Sequence, residues 1–350
     1  MEEKTINIGV TGLNAIDSPG PGVSVIRGLR EAKSFKVRII GLAYETLEPG
    51  IYMEGVVDKT YLIPYPSAGS DILLSRLEYI QKEENLDVII PNFDAELFSF
   101  IMLEPALRKI GIHMFLPGMM QFEARQKVNL SDFGKKYNLD VPASFSVQSH
   151  SELTKTAREM KYPIMVKGKY YDAYPAYNLD QAKSLFDKIS GKWGLPIVIQ
   201  EFVKGTEMNV TGLGDGKGTT IAAVAMRKQF ITEKGKAWAG ITIQDEKLME
   251  ITRRFVALTQ WRGAFELEIM KSPDNTYYLM EINPRIPAWI YLAVGVGQNI
   301  PEALTLLALG HELTPFNGYE AGKLFIRYSW DMIVSSERFE NLSVNGELEN

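Results

Sequence analysis

Apolar and polar positions fall into two rhythms along this chain. Thr5 to Val10 is a β-branched run ending at Gly12 and predicts a buried strand. Helical spacing follows from Val23 to Ala32, then a second strand from Lys36 to Ala43, an amphipathic helix from Asp71 to Asn85 and a buried strand at Asp87 to Pro91. A helix from Ala95 to Ile110 and a strand around His113 to Leu116 complete the stretch. Strands alternating with helices predict a parallel sheet covered on both faces.

Met120 to Tyr137 reads as helix, Ala143 to Val147 as strand, and Ser151 as the cap of a helix from Leu153 to Met160. Pro163 to Lys169 (strand), Asp180 to Ile189 (helix) and Ile197 to Val203 (strand) make a small α+β unit expected to move. Antiparallel strands fill Glu207 to Asn283, with a helix at Asp245 to Gln260 between them. Pro287 to Leu309 reads as helical, Lys323 to Ser336 as a strand pair, and residues 340–350 as a frayed end.

The richest pattern is Gly263-Ala-Phe-Glu266-Leu-Glu268-Ile, followed by Asp274-Asn275 and then Glu281-Ile-Asn283-Pro-Arg285. If Asp274-Asn275 is a two-residue hairpin turn, Glu268 lies opposite Glu281 and Glu266 opposite Asn283. All four side chains then share one face, with opposed Cβ atoms about 5 Å apart. Three carboxylates that close need water or a cation. Magnesium suits them, since it takes hard oxygen ligands and leaves positions for phosphate. Pro284 ends the ladder and releases Arg285, whose planar fork matches phosphate. Taken singly, each Glu reads as an ordinary solvated residue; the constellation, backed by Phe265, Leu267, Ile269, Leu279 and Ile282 on the other face, does not.

Composition removes several function classes. The chain carries 38 Lys and Arg against 43 Asp and Glu, a net charge of -5, which argues against a general nucleic-acid or membrane-surface binder. It has no cysteine, so disulfides, thiolate metal sites and a cysteine nucleophile are excluded. No signal-peptide core or membrane-length apolar run stands out, and a cytoplasmic protein is expected. His113, His150 and His311 are scattered and receive no catalytic role.

Glu281-Ile-Asn283-Pro-Arg285 closely resembles the metal-and-phosphate motif of the ATP-grasp superfamily, in the branch of the carbamoyl phosphate synthetase large subunit, biotin carboxylase and carboxylate–amine ligases. The resemblance covers nearly the whole chain. It implies an N-terminal parallel α/β domain (pre-ATP-grasp, Rossmann-like) at 1–115, a two-part ATP-grasp domain at 116–312 with a mobile lid at about 145–205, and C-terminal strands and a tail at 313–350. Glu268, Glu281 and Asn283 take the metal positions, and Glu266 stands behind them. Lys127 and Lys167 take the ATP-phosphate positions. Glu201, Phe202 and Val203 fall in the adenine segment, and Glu207 at the ribose. Arg285 and Arg227 are the catalytic candidates, Arg227 for an acyl phosphate or substrate carboxylate. ATP and magnesium, or manganese in its place, are the implied cofactors.

The activity implied is amide formation through an acyl phosphate, with small-molecule or peptide acids and amines as partners, neither nucleic acid nor membrane, and a homodimer at family level. Activation of bicarbonate is one alternative; an ATP-binding regulatory or scaffold protein with a decayed lid is another. The latter draws on Gly168 to Tyr177, where the family has a glycine-rich loop and this chain has aromatics and one glycine. There the loop is either shortened, or Lys169 substitutes as a point charge. Ile286-Pro287-Ala288-Trp289 also departs, being apolar where the family has small polar residues. Gly12, Gly20 and Gly22 after the first strand, and Asn92-Phe93-Asp94-Ala95-Glu96 after another, are expected to line the acceptor side. A helix N-cap is the competing reading of Asp94.

Overall fold

The computed structural model describes residues 5–14, 19–169, 172–232 and 235–350. Its strands in chain order are β1 Thr5–Val10, β2 Lys36–Ala43, β3 Lys59–Leu62, β4 Val88–Ile90, β5 Ser144–Val147, β6 Ile164–Lys167, β7 Ala173–Ala176 and β8 Ile197–Glu201. There follow β9 Thr206–Asp215, β10 Thr220–Ile231, β11 Ala237–Thr242, β12 Arg262–Lys271, β13 Tyr277–Asn283, β14 Leu324–Ile326 and β15 Glu347–Glu349. The helices are α1 Pro21–Arg30, α2 Ser70–Glu84, α3 Asp94–Lys109, α4 Met119–Ala124, α5 Leu130–Tyr137 and α6 His150–Glu159. They continue with α7 Leu179–Trp193, α8 Glu246–Thr259, α9 Tyr291–Gly295, α10 Ile300–Ala308 and α11 Ser336–Asn345.

Three sheets result, with orders β15-β3-β2-β1-β4, β13-β12-β9-β10-β11-β14 and β5-β8-β6-β7. The chain divides into two compact units, one of residues 1–119, 209–266 and 283–350, the other of 120–208 and 267–282. In the first unit β1 pairs in parallel with β2 and β4, and β2 with β3, as continuous apolar strands joined by helices require. Its core includes Ile8, Val10, Ile26, Ile39, Val224 and Ile290. The second unit has a core of its own, with Leu153, Ile164, Val166, Phe186 and Ile199 between α6, α7 and the four-stranded sheet.

Several expectations need correction. The end of the chain is not frayed. α11 leads into β15, which pairs antiparallel with β3, Leu348 facing Thr60. Leu342 and Leu348 enter the first unit's core, and Lys59 Nζ lies 3.8 Å from Glu347 and 3.7 Å from Glu349. Residues 323–336 supply one short strand, not a pair, and the strand expected at 113–116 reduces to a bridge at His113. The helix of 120–137 breaks where Gln126 turns extended (ψ 144), and Lys127 opens a short 3-10 turn before α5. The helix of 287–309 breaks around Gly297, at φ 91, between α9 and α10. Ser149, not Ser151, caps α6. Its hydroxyl accepts from Glu152 N–H, while the Glu152 carboxylate accepts from Gln148 N–H, a pattern the Ser-x-x-Glu spacing at 149–152 announces.

The hairpin also closes differently. Ser272 N–H donates to Thr276 O (2.9 Å) and Asn275 N–H to Ser272 O (3.0 Å), with Asn275 left-handed at φ 64. Pro273-Asp274-Asn275 is therefore a three-residue loop, one residue out of the register expected from a two-residue turn. Further along, Asn283 Nδ2 donates to Glu266 Oε2, so these two side chains meet as expected.

Leu348→Ala is expected to lower stability by about 2–3 kcal/mol, through the apolar volume lost from a buried site on the docked strand. A urea unfolding midpoint unchanged from the native chain would show that β15 is not integral to the first sheet.

Candidate functional site

In the second unit Lys167 ends β6, in ladder contact with Ala173 of β7 and Val198 of β8. Its ammonium is held below the ordinary lysine range. Burial is the largest cause and Lys127 adds repulsion, while Glu281 and Glu268 oppose the shift. Lys127 Nζ lies 3.4 Å from Glu281 Oε1, with the two side chains 18% and 29% exposed. Two lysines and two glutamates, far apart in sequence, thus share one electrostatic neighbourhood.

The strand after Lys167 returns at once. Gly168 N–H donates to Asp172 O (2.9 Å), and the Asp172 carboxylate accepts from Trp193 Nε1 (2.7 Å), Lys192 Nζ (3.1 Å) and Tyr174 OH (3.2 Å). These donors, with the Trp193 bond foremost, hold the Asp172 carboxyl below its usual range. Residues 170 and 171 lie outside the described residues. Glu201 ends β8 with its carboxylate 3.4 Å from Ala143 N, and Phe202 and Val203 follow it outside any strand. Glu207 is half-buried in β9. Gln200, which the sequence reading passed over, is buried beside them and donates to Ser144 Oγ (2.8 Å).

In the first unit Glu266 is buried at 6% exposure. Its Oε1 accepts from Asn209 Nδ2 (2.9 Å) and Trp289 Nε1 (2.6 Å), and its Oε2 from Asn283 Nδ2 (3.1 Å). Asn209 was missed, although Glu207, Asn209 and Thr211 are polar at every second position of an apolar strand. Trp289, read as core or pocket wall, is buried and bonds this carboxylate. Arg285 Nε donates to Asp94 Oδ2 (2.6 Å). Asp94 is therefore no helix cap: Phe93 is the N-cap of α3, and Glu96 accepts from Phe93 N–H (2.9 Å). Arg227 stands on the exposed part of β10, its guanidinium nitrogens 3.2 and 3.3 Å from the Gln229 side-chain amide, and the structure does not join it to Arg285.

The carboxyl ends of β1, β2 and β4 carry a second cluster of the same unit. Glu96 is fully buried and accepts from Thr11 Oγ1 (2.5 Å), Asn92 N (2.6 Å) and Tyr44 OH. Burial still leaves its carboxyl raised above the usual range. Nearby Glu48 accepts from Tyr44 N (2.8 Å), and burial pushes its carboxyl up to about 7, with the Glu96 charge adding to the rise. The glycines here serve the loop itself. Gly22 N–H donates to Gly12 O (2.9 Å), and a Cβ at Gly22 would sit 2.3 Å from Thr11 O. Residues 15–18 of that loop lie outside the described residues.

The donors present fit a hard divalent cation. Among the described residues no group of three His, Cys, Asp or Glu gathers for a soft or three-carboxylate site. Within the second unit Glu268 and Glu281 offer carboxylate oxygens, and within the first Asn209 keeps a buried Oδ1 without a partner beside Glu266.

Residues 195–323 match the family model described as ATP-grasp in the biosynthetic pathway with Ter operon. The biotin carboxylase domain of 2-oxoglutarate carboxylase from Hydrogenobacter thermophilus superposes with a TM-score of 0.69 at 16% identity, over 89% of this chain and 73% of that one. This is the ATP-grasp fold. N5-carboxyaminoimidazole synthetase from Staphylococcus aureus gives a TM-score of 0.67 at 17% identity, covering 91% and 80% of the two chains. In sequence, the carbamoyl phosphate synthase large chain of Clostridium acetobutylicum is 22% identical over 225 residues. That match takes in 60% of this chain and 20% of the relative, so the chain spans about a fifth of that protein's length. No helix among the described residues is long and apolar enough to cross a membrane.

The Glu48 shift carries a pH signature. Its folded carboxyl titrates near 7 against an ordinary 4.5, so the native state holds the extra proton between those values. Stability contributed by this group is present below pH 4.5 and falls as pH rises toward 7, by about 3 kcal/mol in total. Glu48→Gln should flatten that part of the stability–pH curve, read from denaturant midpoints at pH 5 and 8; an identical slope in the variant would refute the assignment.

Proposed function

We propose that this chain is an ATP- and magnesium-dependent ligase that activates a substrate carboxylate as an acyl phosphate and transfers the acyl group to an amine. The observation that carries the reading is the gathering of Lys127 and Lys167 on Glu281 and Glu268 within one unit. Paired carboxylates and paired ammonium groups in a half-buried place suit a polyanion with its counter-cation. The fold and the comparisons support nucleotide chemistry; the Hydrogenobacter relative is described with MgADP and bicarbonate.

A magnesium ion, or manganese in its place, held by Glu268, Glu281 and Asn283 would supply charge neutralisation at the phosphate oxygens. The chain's own residues do the rest. Lys127 and Lys167 exchange carboxylate neighbours for phosphate oxygens, and the triphosphate charge opposes the burial that lowers the Lys167 ammonium. Glu201, Phe202 and the Val203 backbone hold the adenine, and Glu207 accepts from the ribose hydroxyls. Arg285, steadied at Nε by Asp94, turns its planar fork to the transferred phosphate; Arg227 binds the substrate carboxylate. A carboxylate oxygen attacks the γ-phosphorus as the bond to ADP breaks. The amine nitrogen then attacks the acyl carbon, phosphate leaves, and the amine gives up a proton. Positioning and charge stabilisation carry the rate, without a protein nucleophile.

A second reading draws on the sequence at 168–177, aromatic and with a single glycine where the family has a glycine-rich loop. On that reading the chain binds ATP and regulates or scaffolds without turnover.

ADP release measured across a panel of acids, amines and bicarbonate, with Glu281→Ala as the blank, separates these. Release that needs both an acid and an amine supports the ligase, release with bicarbonate alone supports carboxylate activation of that substrate, and tight binding without release supports the regulatory reading. Lys167→Met is expected to weaken MgATP binding by roughly 10- to 150-fold, the worth of about 1.5–3 kcal/mol for a hydrogen bond to a charged group. Calorimetry showing equal affinity in the variant would remove Lys167 from the phosphate site.

A further inference from the structure

Glu266 is a buried carboxylate surrounded by neutral donors. Asn209 Nδ2 and Trp289 Nε1 fill Oε1, and Asn283 Nδ2 fills Oε2. The donors come from β9, from the end of β13 and from the segment between β13 and α9, so the carboxylate is fixed from three directions. A carboxylate only accepts, and each neighbouring amide must therefore present nitrogen to it. An amide is planar, with its oxygen and nitrogen on opposite sides. Asn283 Nδ2 turned to Glu266 therefore sets Oδ1 on the other side.

We propose that Glu266 is the positioning residue of the metal site: it selects the orientation of the Asn283 amide that shows oxygen, not nitrogen, to the cation. This rests on the reading of Asn283 as a metal ligand. The charge on Glu266 matters as much as its shape. A neutral amide of the same size has one accepting and one donating end. With Trp289 and Asn209 held on the accepting end, the donating end faces Asn283 and turns it over, aiming an NH2 group at the metal. Trp289, in the apolar stretch that departs from the family pattern, keeps the carboxylate from rotating away. Outer partners of this kind alter metal affinity by about 10- to 100-fold.

The test compares Glu266→Gln with the double variant Glu266→Gln/Asn283→Asp. Mg2+ affinity is measured by calorimetry at saturating ATP, beside metal-free ATP affinity and Tm. The single variant should lose about 10- to 100-fold in Mg2+ affinity while metal-free ATP binding stays unchanged. The double variant should recover most of the loss, because the new carboxylate accepts from the new amide with one oxygen and meets the metal with the other. A merely structural role for Glu266 predicts no such recovery. A folded single variant with native Mg2+ affinity, or a loss that the second substitution leaves in place, overturns the proposal. If the single variant does not fold, a crystal structure of the native chain with MnADP decides: Mn2+ on Asn283 Oδ1 with Nδ2 still on Glu266 supports it, and Asn283 turned or off the metal overturns it. A native chain without metal-dependent nucleotide binding overturns the function reading as well, whereas native binding beside equal binding by the single variant overturns this inference alone.

Discussion

A carboxylate taken out of water must be given donors or a counter-charge, and this protein answers that demand in different ways at four glutamates. Glu84 is salt-bridged to Arg38 and Lys59 and receives the Tyr61 hydroxyl, so it stays ionised, its carboxyl below the usual range. Glu96 receives only neutral donors and is driven toward its protonated form. Glu266 also receives only neutral donors, three of them. Glu281 is part-exposed, pairs with Lys127 at 3.4 Å and shares the charge neighbourhood of Lys167. The first three arrangements are closed. On the function proposed above, the fourth is the one whose charges exchange for those of a ligand.

Lys167 shows why that exchange is favourable. It sits on a strand of a small sheet with its own core, so it cannot retreat into water as a surface lysine would. Its positive form is costly there until more negative charge arrives. The same logic applies to Arg285, whose Nε is tied to Asp94, leaving less rotamer freedom to be lost on engaging an anion.

Much of this was legible in the sequence, because the signals were periodic or chemically rare. The parallel sheet followed from continuous apolar strands alternating with helices. The failures have physical reasons. The two-residue turn at Asp274-Asn275 was a reasonable reading of local chemistry, but Asn275 takes the left-handed conformation inside a three-residue loop. The partners of Glu266 come from segments 57 and 23 residues away, distances at which a single sequence carries little pairing information. The C-terminal helix and strand were taken for a tail because their polar residues, Glu347 and Glu349 among them, face Lys59 across a sheet whose edge the local pattern does not reveal.

That last strand has a consequence for synthesis. β15 lies on the open edge of β3, a strand made near the start of the chain. On the ribosome the first sheet is translated through β4 and then waits roughly 260 residues for its final strand, tens of seconds at ~5–20 residues per second. Throughout that interval the backbone groups of β3 present an unpaired edge, a template for any passing strand. Order of manufacture thus leaves the nascent first sheet exposed to the wrong partner until β15 itself has emerged.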